Sequence, residues 1–431
     1  TKVVTITGAG VGGIGALVTT QASSASSAHV NGLILTGDST IAAIGITARS
    51  ILWVDGPGAF IQGNGHNLSV VVDDDETAPK GTEVDWLNVG NTNLNNIEIS
   101  GGGALYLGSN TSLGPNTGTL TLQNSGRLGF YADNNGVDSS TAVMDKPITV
   151  ANTALGGGLS IYNGNKTIAS PIAMNGNLEV TTYNRVSATT ATATLTGKLT
   201  GSGSLAVHVN ANATASRVGM VELTNDANDY AGTTTIGGGG GFDANLAARD
   251  RVTLSIGNGG TTGKLGNGGN VTVMGSGLGF LGFNLNKAYS FSDVNVDVIS
   301  GDGGVTYLAD NGVVTPNGAI SYTGPTNIEH GTVVINASNA ANALGDATGT
   351  TLVRADQNSR SGRLVLDGSG GNLVLGESFT TSGYGVPFSL SSNGLITNAS
   401  GNNEISGSIT LLGGAGSTII TSQAGSLRLS G

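Results

Sequence analysis

Cysteine is absent from the 431 residues of this chain. Its absence excludes a disulfide framework and any thiolate metal site, so hydrogen bonds and packing must hold the fold. Charge is also sparse. Charged residues make up 10% of the chain, with 17 basic against 28 acidic, for a formal net charge of −11. No run of lysine or arginine occurs, so the positive footprint demanded by a nucleic-acid backbone or an anionic membrane surface is missing. No stretch of 18 apolar residues is present, so no membrane-spanning segment is expected. Helical periodicity is nearly absent. The best candidate, Ser338 to Gly345, reads as one short helix or a turn ended by glycine. The serine- and alanine-rich stretch from Gln21 to Ala28 reads as a loop. A start at Thr1, without methionine or a charged leader, fits a processed mature protein or a piece of a longer one.

Glycine is abundant instead, at 73 positions, and hydrophobic residues still reach 38%. Proline is rare and glycine does not recur at every third position, which excludes a collagen helix. The hydrophobic residues fall in short alternating runs, among them Val3 to Ile6, Leu33 to Leu35, Ile51 to Val54, Leu68 to Val72, Ile97 to Ile99, Ala104 to Leu107, Thr119 to Leu122, Leu159 to Tyr162 and Leu364 to Leu366. Gly, Asn, Asp and Ser interrupt them every few residues, as turn chemistry requires. A β-sandwich needs far fewer strands than this pattern supplies, and no linker separates a series of sandwiches. A parallel β-helix needs no linker, because each coil buries its inward side chains against its neighbours. The expected fold is therefore all-β, a single-stranded parallel β-helix (solenoid) running through residues 1–431. At about 22 residues per coil it would make roughly 20 coils.

Two phrases recur along the chain. Tyr230, Gly232, Thr234, Ile236 and Gly239 stand at the same offsets as Tyr322, Gly324, Thr326, Ile328 and Gly331. A Leu-Gly pair follows each, at Leu265-Gly266 and Leu344-Gly345, and a third stands at Leu113-Gly114. The first copy, Asn228 to Ile236, resembles the autotransporter-associated β-strand repeat, also called the passenger-associated transport repeat. That family reads asparagine, any residue, tyrosine, a small residue, glycine, and then a threonine-rich strand. The second copy matches from Tyr322 onward and carries Pro325 inside the phrase. The resemblance covers residues 220 to 370 best. It implies a right-handed parallel β-helix in a secreted bacterial surface protein with structural or adhesive use, and it implies no catalytic residues.

Candidate sites are few. Asp73, Asp75 and Glu76 belong to the densest acidic stretch, and the segment 73–85 breaks the strand rhythm as a projecting acidic loop would. Hard cations take several oxygen ligands, so these three are the candidate calcium ligands; a solvated loop is the competing reading. Trp53 and Trp86 are the candidates for an aromatic platform that stacks on glycans. The four histidines, His29, His66, His208 and His330, show no metal-ligand spacing and read as surface or corner residues. Parallel β-helices also serve as polysaccharide-cleaving enzymes, which need paired carboxylates. Asp302, Asp310 and Glu329 across coils, and Asp293 and Asp297 along one strand, are the acids available for that. The leading expectation is a non-catalytic scaffold for display, adhesion or self-assembly, partnered by itself or by other surface components. The alternatives are a carbohydrate-active enzyme and a carbohydrate-binding adhesin.

Overall fold

The computed structural model describes residues 2–21, 26–46, 48–74, 82–87, 89, 93–108, 113–114, 117–131, 146–162, 164–183, 190–209, 218–237, 251–275, 278–354, 361–382, 394–412 and 418–431. The chain folds as an all-β, right-handed parallel β-solenoid of about 12 turns. Among the described residues the strand pairs are parallel, each strand lying beside its counterpart in the next coil. The fold class is as the sequence pattern predicts, but the number of turns is smaller than roughly 20. Coils are longer and less regular than a 22-residue repeat. Hydrogen bonds that step one coil span 22 residues at Ser321 and 31 at Ser406. Most strands are short, so much of the variation falls in the corners, where added residues cost little.

Contacts divide the chain into two compact units. The first holds Thr1–Val221, Ala227–Gly232 and Gly239–Val252; the second holds Glu222–Asp226, Thr233–Gly238 and Thr253–Gly431. In the first unit, one sheet runs through Val3–Gly8, Gly32–Gly45, Leu68–Asp74, Ile97–Ser100, Leu120–Gln123, Ile148–Val150, Ile172–Met174 and Leu199–Thr200. Side chains alternate between the two faces of a strand, so parallel register stacks like on like. Leu68, Ile97, Leu120, Ile148, Ile172 and Leu199 make one inward row, each no more than 1% exposed. Val70, Ile99, Leu122, Val150 and Met174 make the next, all at 0%. Burying one such side chain is worth about 1.5–3 kcal/mol.

The corners of this unit are held by polar side chains that bond across coils. Asp38 accepts from the backbone N–H and side-chain amide of Asn67, both at 2.9 Å. Asn67 in turn accepts from the side chain of Asn95 and the backbone of Asn96, and Asn96 accepts from the backbone of Thr119. The N–H donors from Asn67 hold the Asp38 carboxyl below its usual range. This chain of bonds satisfies the backbone donors that a corner leaves outside the ladders.

In the second unit, the inward row Val305, Thr326, Thr351 and Phe379 is mixed. Aromatic rings crowd the same interior: Phe283 stacks on Phe291 at 4.4 Å and on Tyr307 at 5.5 Å. The stretch from Ser338 to Leu344 is a turn, which settles the choice between helix and turn left by the sequence. Two other expectations need correction. Phe291–Val294 forms a short 3-10 helix, so Asp293 and Asp297 do not share a strand. Asp293 instead closes a capping box with Ser290, whose side chain and backbone both donate to it. The serine-rich stretch near residue 25 contributes the strand Ser26–Val30, which pairs with Ser50–Val54; pairing overrides the weak strand preference of serine and alanine.

Candidate functional site

The repeated phrase points inward. Tyr230 and Tyr322 are each 1% exposed, and Thr234 and Thr326 are buried four residues on, with Ile236 and Ile328 two further. In the second copy the Tyr322 hydroxyl donates to Thr326 at 2.5 Å, and Thr326 donates to the carbonyl of Leu344 at 2.6 Å. Leu344 belongs to the Leu-Gly pair, and Gly345, at φ +100, lies against the Tyr322 ring. In this second copy the two phrases are therefore one device: Leu344-Gly345 of the following coil seats on Tyr322 of the coil before. Gly232 and Gly324 lie directly over Gly203 and Gly303, where a Cβ would collide with the carbonyl oxygen beneath. Gly331 opens the strand Gly331–Asn336 at φ +73, and Gly239 lies outside the described residues. In the second copy the phrase ties one coil to the next, and its tyrosine, threonine and isoleucine point inside.

The acidic stretch divides. Asp73 is exposed near the end of the strand Leu68–Asp74, while Asp75 and Glu76 lie outside the described residues. Glu83 and Asp85, expected at the end of a projecting loop, sit in the buried strand Glu83–Trp86 at 4% and 0% exposure. Among the described residues no group of three His, Asp or Glu is placed to hold a metal ion. The tryptophan platform is not formed. Trp86 is in register with Val54 and points inside at 0% exposure, whereas Trp53 is in register with Asp85 on the outer face. Period two fixes which residues share a face, and Trp53 and Trp86 fall on opposite ones. The acids offered for polysaccharide cleavage serve other ends. Asp302 accepts from the backbone of Gly275, Glu329 pairs with Arg354 at 2.9 Å, and Asp310 stands 3.7 Å from His330.

The first unit does collect polar chemistry on one outer face. It is built by Ser26–Val30, Ser50–Val54, Glu83–Trp86, Ala104–Leu107, Arg127–Tyr131, Gly157–Tyr162 and Leu178–Tyr183, paired in that order. One outward row reads His29, Trp53, Asp85, Tyr106, Gly129, Ser160 and Thr181. The next contains Glu83, Arg127 and Glu179. Glu83 forms an ion pair with Arg49. Arg127 bonds Glu179 at 2.6 Å and Thr181 at 3.2 Å. Burial pushes the Glu179 carboxyl up, and Arg127 outweighs it, holding the carboxyl below its usual range. Neither oxygen of Asp85 has a hydrogen-bond partner. Burial pushes its carboxyl well up, Arg49 pulls it back, and the charge of Asp55 adds to the rise. Burial also raises the Tyr106 hydroxyl, which lies 3.4 Å from Ser160.

At the start of that row three side chains form a line of hydrogen bonds. His29 Nε2 lies 3.1 Å from Ser27 Oγ. His29 Nδ1 lies 3.0 Å from Asp55 Oδ2 and 3.2 Å from Oδ1. The Trp53 indole stacks on the His29 ring at 5.8 Å with 3° between planes. Ser27 and His29 are two apart on one strand and so share its outer face. Asp55 comes from the next coil, and its backbone N–H donates to Val30 at 3.0 Å. Asn31 donates to the Asp55 carbonyl at 3.1 Å. From the sequence alone His29 reads as a surface or corner residue. The only signal was the Ser-x-His spacing followed by an acid 26 residues on, and its meaning depends on the length of that coil.

No family model, curated protein or solved structure matches this chain.

Proposed function

We propose that the chain is a structural segment of a secreted bacterial cell-surface or fibre-forming protein, acting in display, adhesion or self-assembly. The observation that carries this reading is the inward placement of the repeated phrase. The most regular residues of the chain, Tyr322, Gly324, Thr326 and the Leu344-Gly345 pair, are spent on joining one coil to the next. Function of this kind resides in stacked coils and needs no active site. The resemblance of Asn228 to Ile236 to the passenger-associated repeat supports export. Among the described residues no helix is long and apolar enough to cross a membrane.

Self-association is the mode of assembly proposed, through pairing of strand edges. Ile409–Leu412, Ile420–Ser422 and Ser426–Leu429 each have one paired strand among the described residues. They expose Leu411 at 62%, Leu412 at 48% and Leu429 at 51%. Such an edge accepts a further parallel strand, from a following coil or from a second copy. The reading is tested by antibody labelling of intact source cells and their medium against lysed cells. Signal on intact cells or in the medium is expected, and signal confined to lysates overturns the proposal.

A further inference from the structure

We propose that Ser27, His29 and Asp55 form an acyl-transfer site on the outer face of the first unit, with Ser27 as nucleophile toward small carboxylic esters. This activity is independent of the scaffold reading.

The geometry assigns a role to each group. Asp55 engages Nδ1 with both carboxylate oxygens, at 3.0 and 3.2 Å. A carboxylate only accepts, so this contact places the ring proton on Nδ1 and leaves the Nε2 lone pair facing Ser27, 3.1 Å away. That is the order of groups by which a serine hydroxyl is activated on unrelated folds. The parts are held by rigid elements. Trp53 fixes the plane of the imidazole, and Asp55 is tied through its backbone to Val30 and Asn31. Substrate has access, since the His29 side chain is 53% exposed and Ser27 is exposed. The half-buried face of Trp53 offers an apolar wall to an acyl or aryl group.

Backbone donors stand nearby. Val30 accepts from Asp55 N–H, so Ala28 and Val30 turn their main-chain groups toward Ser50–Val54. The N–H groups of Ser27 and His29 then point to the opposite edge, where Ser26–Val30 has no second paired strand among the described residues. Such donors beside the nucleophile are what a developing oxyanion requires.

The reaction balances without a cofactor. Ser27 Oγ bonds the acyl carbon while its proton passes to His29 Nε2. The tetrahedral oxyanion collapses, the ester C–O bond breaks, and the leaving alcohol takes the proton from Nε2. Water then attacks the acyl-serine, gives a proton to Nε2, and releases the acid as Ser27 recovers that proton. A site whose histidine side chain is 53% exposed suits esters with good leaving groups, not amides.

The test uses the full chain with 4-nitrophenyl acetate, and separately with a fluorophosphonate followed by mass analysis of the peptide containing Ser27. Nitrophenolate release is expected, falling roughly tenfold or more in Ser27→Ala and in His29→Gln. Covalent phosphonylation is expected at Ser27. Asp55→Asn is expected to lower kcat with KM unchanged, and Asp55→Glu to recover part of the loss, as a positioning residue predicts. Ester cleavage that survives Ser27→Ala but not His29→Gln would show bare imidazole catalysis and overturn the proposal. Absence of phosphonate on Ser27 in the unaltered chain overturns it regardless of how any variant folds.

Discussion

The inward row Leu68, Ile97, Leu120, Ile148, Ile172 and Leu199 of the first unit is aliphatic throughout, while Val305, Thr326, Thr351 and Phe379 of the second place two neighbouring hydroxyls between hydrocarbons. The same ladder geometry thus supports two kinds of interior. Each hydroxyl of this row has a partner: Thr326 donates to the Leu344 carbonyl, and Thr351 donates to Glu377 at 3.0 Å. A buried hydroxyl with a partner costs little, whereas one without a partner carries its full desolvation penalty. The second unit shows both cases side by side. Tyr322 is bonded, but the hydroxyls of Tyr289 and Tyr307 are buried with no partner.

Breaking the aliphatic row should have the largest effect. Leu120→Ala removes a side chain at 0% exposure with fixed neighbours above and below. A loss of about 2–5 kcal/mol is expected from urea unfolding of the first unit. A loss below 1 kcal/mol would mean that the row is loosely packed.

Next comes the acid inside the second unit. Burial pushes the Glu377 carboxyl up to about 7, the Thr351 hydroxyl pulls it back, and the charge of Asp346 adds to the rise. The folded state therefore holds a proton that the unfolded state, with an ordinary carboxyl, has released. The stability this proton brings is fully present below about pH 4.5 and is lost as pH rises through about 7. At pH 8 the ionised side chain costs about 3 kcal/mol relative to its neutral form. Glu377→Gln should stabilise the protein at pH 8 by up to that amount and flatten the pH dependence between 4.5 and 7. An unchanged slope would place the acid-sensitive group elsewhere.

The tyrosines give a smaller, two-signed test. Tyr322→Phe removes a made bond and should cost about 1 kcal/mol, while Tyr307→Phe removes an unpaired hydroxyl and should be neutral or stabilising. Thermal midpoints of the two variants should fall on opposite sides of, or at most level with, the parent protein. The smallest effect is expected at the first unit's corner. Asn67→Ala removes side-chain bonds to Asp38, Asn95 and Asn96 at a partly exposed site, for about 0.5–1 kcal/mol.

Strand positions were legible because alternation and corner residues repeat so often. Leu68 to Val72, Leu159 to Tyr162 and Val333 to Ile335 all lie within strands. The number of turns was not legible, because both the corners and the strands, from Leu199–Thr200 to Gly32–Gly45, vary in length. Facing was half legible: period two groups Val84 with Trp86 and Glu83 with Asp85, but does not say which pair goes inside. Aromatic faces alone made Trp53 and Trp86 candidates for a glycan platform, and the register puts Trp86 in the core. Contacts between coils were the least legible. The seat of Leu344-Gly345 on Tyr322 and the approach of Asp55 to His29 both depend on how many residues one turn consumes. The order of the two repeated phrases was visible, and their physical union was not.

The most direct test of the central claim, that coils stack in parallel register, exploits the missing cysteines. Thr121 pairs with Thr149, and Thr149 with Ala173, on the outer side of the first unit. Neighbouring strands lie about 4.8 Å apart, within disulfide reach, while strands two coils apart lie at about twice that, beyond it. Under mild oxidation the double variant Thr121→Cys with Thr149→Cys should form an internal disulfide, and Thr121→Cys with Ala173→Cys should not. Cross-linking of the second pair but not the first would contradict the parallel register on which the account rests.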